Sequence, residues 1–66
     1  MKWKSNYISP TQQTFEIKHD MFAGYYMYVD QGDKNTHDFL QDTLYDAQNQ
    51  ALEEYGVPIE SWKRVE

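Results

Sequence analysis

Thr36-His37-Asp38-Phe39-Leu40-Gln41-Asp42-Thr43-Leu44-Tyr45-Asp46-Ala47-Gln48-Asn49-Gln50-Ala51-Leu52-Glu53-Glu54-Tyr55 contains no glycine, proline, lysine or arginine. Whether it is helical from end to end determines the architecture. At ~100° per residue, Leu40, Leu44, Ala47, Ala51 and Tyr55 fall within about 80° of arc, an apolar stripe suited to covering a core. Leu52 and Tyr45 flank it. Two starts are open. Thr36 is a plausible N-cap, with Asp38 near the positive helix end. Thr43-Leu44-Tyr45-Asp46 is a capping box with Asp in place of the usual Glu, and under that reading His37–Gln41 is extended. The Leu40–Leu44 spacing continues the stripe and favours the earlier start. Gly56 reads as the residue after the helix, and Pro58 prevents its resumption.

Everything before this run reads as short strands. Trp3, Ser5 and Tyr7 alternate with Lys2, Lys4 and Asn6, and Pro10 ends that pattern. Phe15 and Ile17 alternate with Glu16 and Lys18. A link at Asp20–Gly24 follows, in which Met21 and Phe22 are apolar enough for partial burial. Tyr25, Met27 and Val29 then share a face opposite Tyr26 and Tyr28. After the helix, Ile59, Ser61, Lys63 and Val65 form one face of a last strand, with Trp62 on the other. The expected fold is α+β: an antiparallel sheet of three or four strands, in the order βββα(β), covered on one face by a single helix. Residues 1–66 make one domain.

At 66 residues, with 39% hydrophobic and 17% aromatic composition and no cysteine, the core must be built largely from rings without disulfide support. A monomer or a homodimer satisfies this. No apolar run approaches the ~20 residues of a membrane span, which points to a cytoplasmic protein of a bacterial or phage-infected cell. The net charge of −5 is unevenly placed. In residues 1–34, Lys2, Lys4, Lys18 and Lys34 balance Glu16, Asp20, Asp30 and Asp33. The whole excess lies in residues 35–66, disfavouring nonspecific nucleic-acid binding and favouring a basic protein partner.

The residues carry no catalytic constellation. Ser5, Ser9 and Ser61 lack a nucleophile-elbow setting, and His19 and His37 have no orienting partner in view, so no enzyme is expected. The loop Asp30–Asn35 places its glycine too early for a calcium loop and puts Lys34 in its middle. No metal or cofactor is expected. Two surfaces remain as candidates. On a helix starting at Thr36, Asp38, Asp42, Asp46 and Glu53 fall in one arc of about 80° with no intervening cation, an acidic docking face or DNA mimic for a basic protein such as a nuclease. Tyr26 and Tyr28, on the sheet face away from the helix and near Lys2, Lys4 and Lys18, could anchor a protein or stack single-stranded nucleic acid, the alternative function.

From Asp42-Thr43-Leu44-Tyr45-Asp46-Ala47 through Tyr55, Val57-Pro58 and Ser61-Trp62-Lys63-Arg64-Val65, the chain resembles small phage-encoded inhibitors of host RNA polymerase. The resemblance implies a helix on a three-stranded sheet, a helix start near Thr43, a final strand, an acidic surface and action by binding a nucleic-acid-handling enzyme. Two arginines alternating on the final strand carry much of the polymerase contact in that family. Arg64 matches one of them, and Glu66 stands at the other. The combined expectation is a non-enzymatic interaction module that inhibits or modulates a basic protein.

Overall fold

The computed structural model describes residues 1–31 and 34–66, with the side chains of residues 34–38 excepted. The loop considered for calcium therefore falls partly outside the described residues, as do the side chains of His37 and Asp38. Among the described residues the elements are β1 (Lys2–Ser5), β2 (Gln13–Asp20), β3 (Gly24–Gln31), β4 (Lys34–Gln41), α1 (Leu44–Tyr55), a 3-10 turn (Ile59–Ser61) and β5 (Trp62–Arg64). The strands form one sheet in the order β4-β3-β2-β1-β5, with every pair antiparallel. The expected α+β class holds, with five strands where three or four were expected.

Strand alternation supplies the core. Trp3, Ile17, Met27 and Phe39 lie in cross-strand register, and Phe15 faces Val29 one row along. Phe15, Ile17, Met27 and Val29 are buried against Ala47, Ala51, Val57 and Trp62. The helix presents alanines at its closest approach, so its backbone can sit near the sheet, and rings fill the margins. Tyr55 lies 5.4 Å from Phe15 and 6.4 Å from Phe39 between ring centroids, and Trp3 lies 5.8 Å from Tyr25. Such pairs add roughly 0.5–1.5 kcal/mol each beyond their area, useful in a chain this short.

The helix begins at Leu44, not after Thr36. Residues 34–41 instead form β4, laddered along β3 from Tyr25↔Gln41 to Gln31↔Lys34. Among the described side chains of β4, Phe39 packs on the core, and Leu40, assigned to the helical stripe, turns away and is 50% exposed. Thr43 is the cap. Its backbone is extended (φ −131°, ψ 158°) and its hydroxyl accepts the Asp46 N–H at 3.0 Å. The far end closes at Gly56, φ 74°, whose N–H donates to the Leu52 carbonyl at 2.9 Å while Val57 N–H donates to Ala51. Leu44, Ala47, Ala51 and Tyr55 keep the core-facing roles assigned to them.

Two further expectations change. Residues 59–61 form a 3-10 turn, which resets the alternation: Ser61 and Trp62 are both buried, and Lys63 and Arg64 point to opposite sides. Met21 and Phe22 are 80% and 94% exposed, because Asp20 closes a tight turn by accepting the N–H groups of Phe22 and Ala23 at 2.8 and 3.1 Å. Those bonds favour the ionised form and hold the Asp20 carboxyl below its ordinary 3.8. Gly24 continues this turn at φ 122°, and a Cβ there would meet the Gln41 carbonyl oxygen at 2.6 Å.

The serines are structural pins. Ser61 Oγ donates to the Pro58 carbonyl at 2.6 Å, leaving it to accept from Ser5 Oγ at 2.7 Å, while Ser5 Oγ itself accepts the Tyr7 N–H at 3.0 Å. This chain fastens β1 to the turn preceding β5. Ser9 Oγ accepts the Gln13 N–H at 3.0 Å and shapes the β1–β2 connection.

Candidate functional site

The corrected helix start rearranges the acidic residues. Asp38 belongs to β4, opposite Tyr28, and Asp42 lies in the link between β4 and α1. The four-carboxylate helical arc therefore does not exist, because its first two members precede the helix. Asp46 and Glu53 remain together, seven residues apart on the helix. Glu54, not assigned to the site from sequence, joins them: Asp46, Asn49, Gln50, Glu53 and Glu54 line a shallow recess of about 320 Å³ against Gln41. The signal for Glu54 was its spacing from Asp46 and Gln50 at i, i+4 and i+8, which puts all three along one side of the helix.

Gln41 fixes one wall of this recess by donating its side-chain N–H to Gln50 Oε1 at 2.6 Å. Asp46 lies in the first helical turn, where the macrodipole favours a negative charge. Glu53 and Glu54 lie in the last two turns, where it does not, and no basic residue is in the last turn to compensate. Burial, followed by the charge of Glu54, pushes the Tyr55 phenol up. Tyr45 and Leu52 border this side with 65% and 40% of their surface exposed. From residue 41 to residue 60 the chain has five carboxylates and no lysine or arginine.

The open face of the sheet differs. Alternation and register place Lys63, Lys4 and Glu16 in one cross-strand row and Lys2, Lys18, Tyr26 and Leu40 in the next. Tyr26 and Tyr28 stack with ring centroids 6.1 Å apart and planes 30° from parallel. Glu16 sits among the lysines, 3.7 Å from Lys2 and 3.9 Å from Lys4, and Glu66 lies 3.2 Å from Lys2. The hydrogen bond that Lys2 donates to Glu66 and the charge of Glu16 push the Lys2 ammonium above its ordinary value. Among the described residues these are the side-chain ion pairs, and all involve lysines of the sheet. None involves a helix carboxylate.

The structure thus separates the residues singled out from sequence. Asp46 and Glu53 share the helix side, and Tyr26 and Tyr28 share the open sheet face. Arg64 is on β5, the edge opposite the β4 edge that carries Gln41, and donates its Nε–H to the Glu66 carbonyl at 3.1 Å. It joins neither cluster. His19 stacks on Tyr25 at 4.4 Å. Among the described residues, no three His, Asp or Glu side chains are grouped to hold a metal. No helix among the described residues is long and apolar enough to cross a membrane.

No protein-family model, curated protein or solved structure matches the chain.

Proposed function

We propose that this is a non-enzymatic interaction module that binds a basic, nucleic-acid-handling protein through the outer side of α1. The supporting observation is the set of uncompensated carboxylates beside exposed apolar side chains. Asp46, Glu53 and Glu54 line one recess and, among the described residues, make no ion pair, while Tyr45 and Leu52 are exposed elsewhere on the same helix. An ordinary solvated helix mixes signs, gaining a few tenths of a kcal/mol from each i,i+4 pair. This helix forgoes that gain and places an aromatic anchor alongside, as protein interfaces do. The resemblance of residues 42–65 suggests RNA polymerase as the partner type, the acidic surface by itself suggests a basic protein such as a nuclease, and blocking a basic groove is the corresponding mode of action.

Affinity capture with quantitative mass spectrometry tests the reading. The wild-type protein should retain a basic protein that is released by moderate salt, and Asp46→Lys with Glu53→Lys should lose it. Capture unchanged by the double reversal would refute the helix side as the binding surface.

A further inference from the structure

The open sheet face places like charges opposite one another twice. Lys2 faces Lys18 across β1–β2, and Lys4 faces Lys63 across β1–β5. Like charges directly opposite in an antiparallel pair destabilise it, so two such pairs on one face oppose folding. Four of the chain's six basic residues are spent on this arrangement. Glu16 and Glu66 neutralise part of it through Lys2 and Lys4, whereas Lys18 and Lys63 make no ion pair among the described residues. One strand further along the same face, the Lys18 row continues into Tyr26, stacked on Tyr28.

From this juxtaposition we infer that the open sheet face binds single-stranded nucleic acid. Lys63, Lys4, Lys2 and Lys18 track the phosphates from β5 to β2, and the Tyr26–Tyr28 pair receives a base. The acidic border supports this direction of travel. Asp30 shares a hollow with Glu16 and Thr14, and Glu16 is in register with Tyr28, so the path leaves the lysines along the Lys18–Tyr26 row. Two adjacent pairs of cations, one of which continues into a ring, suit a flexible strand whose bases can turn toward the protein. A rigid duplex keeps its bases stacked inside. The net charge of −5 does not decide against it. The carboxylates of α1 lie on the other side of the sheet in a molecule whose smallest extent is 21 Å, and screening at physiological ionic strength acts over about 8 Å.

Fluorescence anisotropy with short labelled oligothymidine and oligouridine, alongside a duplex of equal length and labelled polyglutamate, tests the inference. Both single strands should bind more tightly than the duplex or polyglutamate. The slope of log affinity against log salt should be shallow, roughly −3 for four phosphate contacts. Tyr26→Ala should weaken binding about tenfold, the usual scale of losing one stacking platform. Lys18→Glu with Lys63→Glu changes exposed side chains only and should abolish binding while circular dichroism stays unchanged. Asp46→Lys with Glu53→Lys should leave oligonucleotide affinity intact or slightly improved, which keeps this test separate from the helix-side one. Absence of wild-type binding at low salt would overturn the inference. Polyglutamate binding as tight as the oligonucleotides would overturn it in favour of an acidic polypeptide ligand.

Discussion

The open sheet face and the helix side carry charge in opposite ways. On the sheet, lysines crowd one another across two strand pairs, and Glu16 and Glu66 bind back into them at 3.2–3.9 Å. On the helix, Asp46, Glu53 and Glu54 face one recess with no cation among them. Both surfaces retain repulsion that a purely stability-driven sequence would relieve, and only one relieves it in part. The chain's net charge describes neither. Local placement decides what each surface can meet: lysines interleaved with carboxylates on the sheet, and carboxylates without an intervening cation on the helix.

The first way to break the comparison is to disturb what holds the two surfaces on one frame. Gly24→Ala forces a Cβ against the Gln41 carbonyl oxygen at a backbone angle reserved for glycine. A loss of roughly 3 kcal/mol in chemical denaturation is expected, with the β3–β4 ladder and the Gln41 wall of the recess disrupted together. Thr43→Ala removes the hydroxyl that accepts the Asp46 N–H and should cost about 1 kcal/mol. Thr36→Ala tests the discarded helix start: residue 36 lies within β4 and not at a helix end, so the substitution should cost less than Thr43→Ala.

Smaller changes sharpen the contrast between the faces. Glu53→Lys places a cation toward the negative end of α1 and should stabilise the fold by a few tenths of a kcal/mol while weakening partner binding. Lys18→Thr removes one opposed lysine pair and should likewise stabilise by a few tenths, read as a rise in thermal midpoint. The two stabilisations should add, since they act on opposite sides of the sheet. The smallest effect is a pH dependence. Asp20 has a folded-state pKa lowered by the Phe22 and Ala23 N–H groups. Its contribution to stability is full above its ordinary 3.8 and is lost as pH falls through the lower folded value. An NMR titration of the Asp20 carboxyl should place its midpoint below that of an unfolded reference peptide.

The first three strands were legible because each alternates cleanly: Trp3 with Ser5, Phe15 with Ile17, and Tyr25 with Met27 and Val29. β4 was not. In its sequence the residues that alternate with Phe39 are polar, and Leu40, on the other parity, happens to lie four residues before Leu44. Periodicity alone therefore extended the helix backwards across Asp42. The local signal that decides the matter was present at Thr43 and Asp46, since a threonine hydroxyl accepting an N–H three residues on specifies where a helix begins. The β5 phase was hidden for a similar reason, because the 3-10 turn at Ile59–Ser61 shifts Trp62 to the side that alternation had given Ser61. Of the candidate site, Asp46 with Glu53 and Tyr26 with Tyr28 could be grouped from spacing. The opposed lysines could not, because Lys4 and Lys63 meet only through a strand pairing that joins distant parts of the chain.

The measurement that bears most directly on the helix-side reading is site-specific photo-cross-linking in cells. A photoreactive residue is placed at Asn49, in the wall of the acidic recess, with a second construction at Thr11 in the β1–β2 connection as the comparison. The account predicts a discrete adduct with a basic protein from position 49, absent from position 11 and lost when Asp46 and Glu53 are reversed to lysine. Equal adducts from both positions, or an adduct at position 49 that survives the reversal, would contradict it.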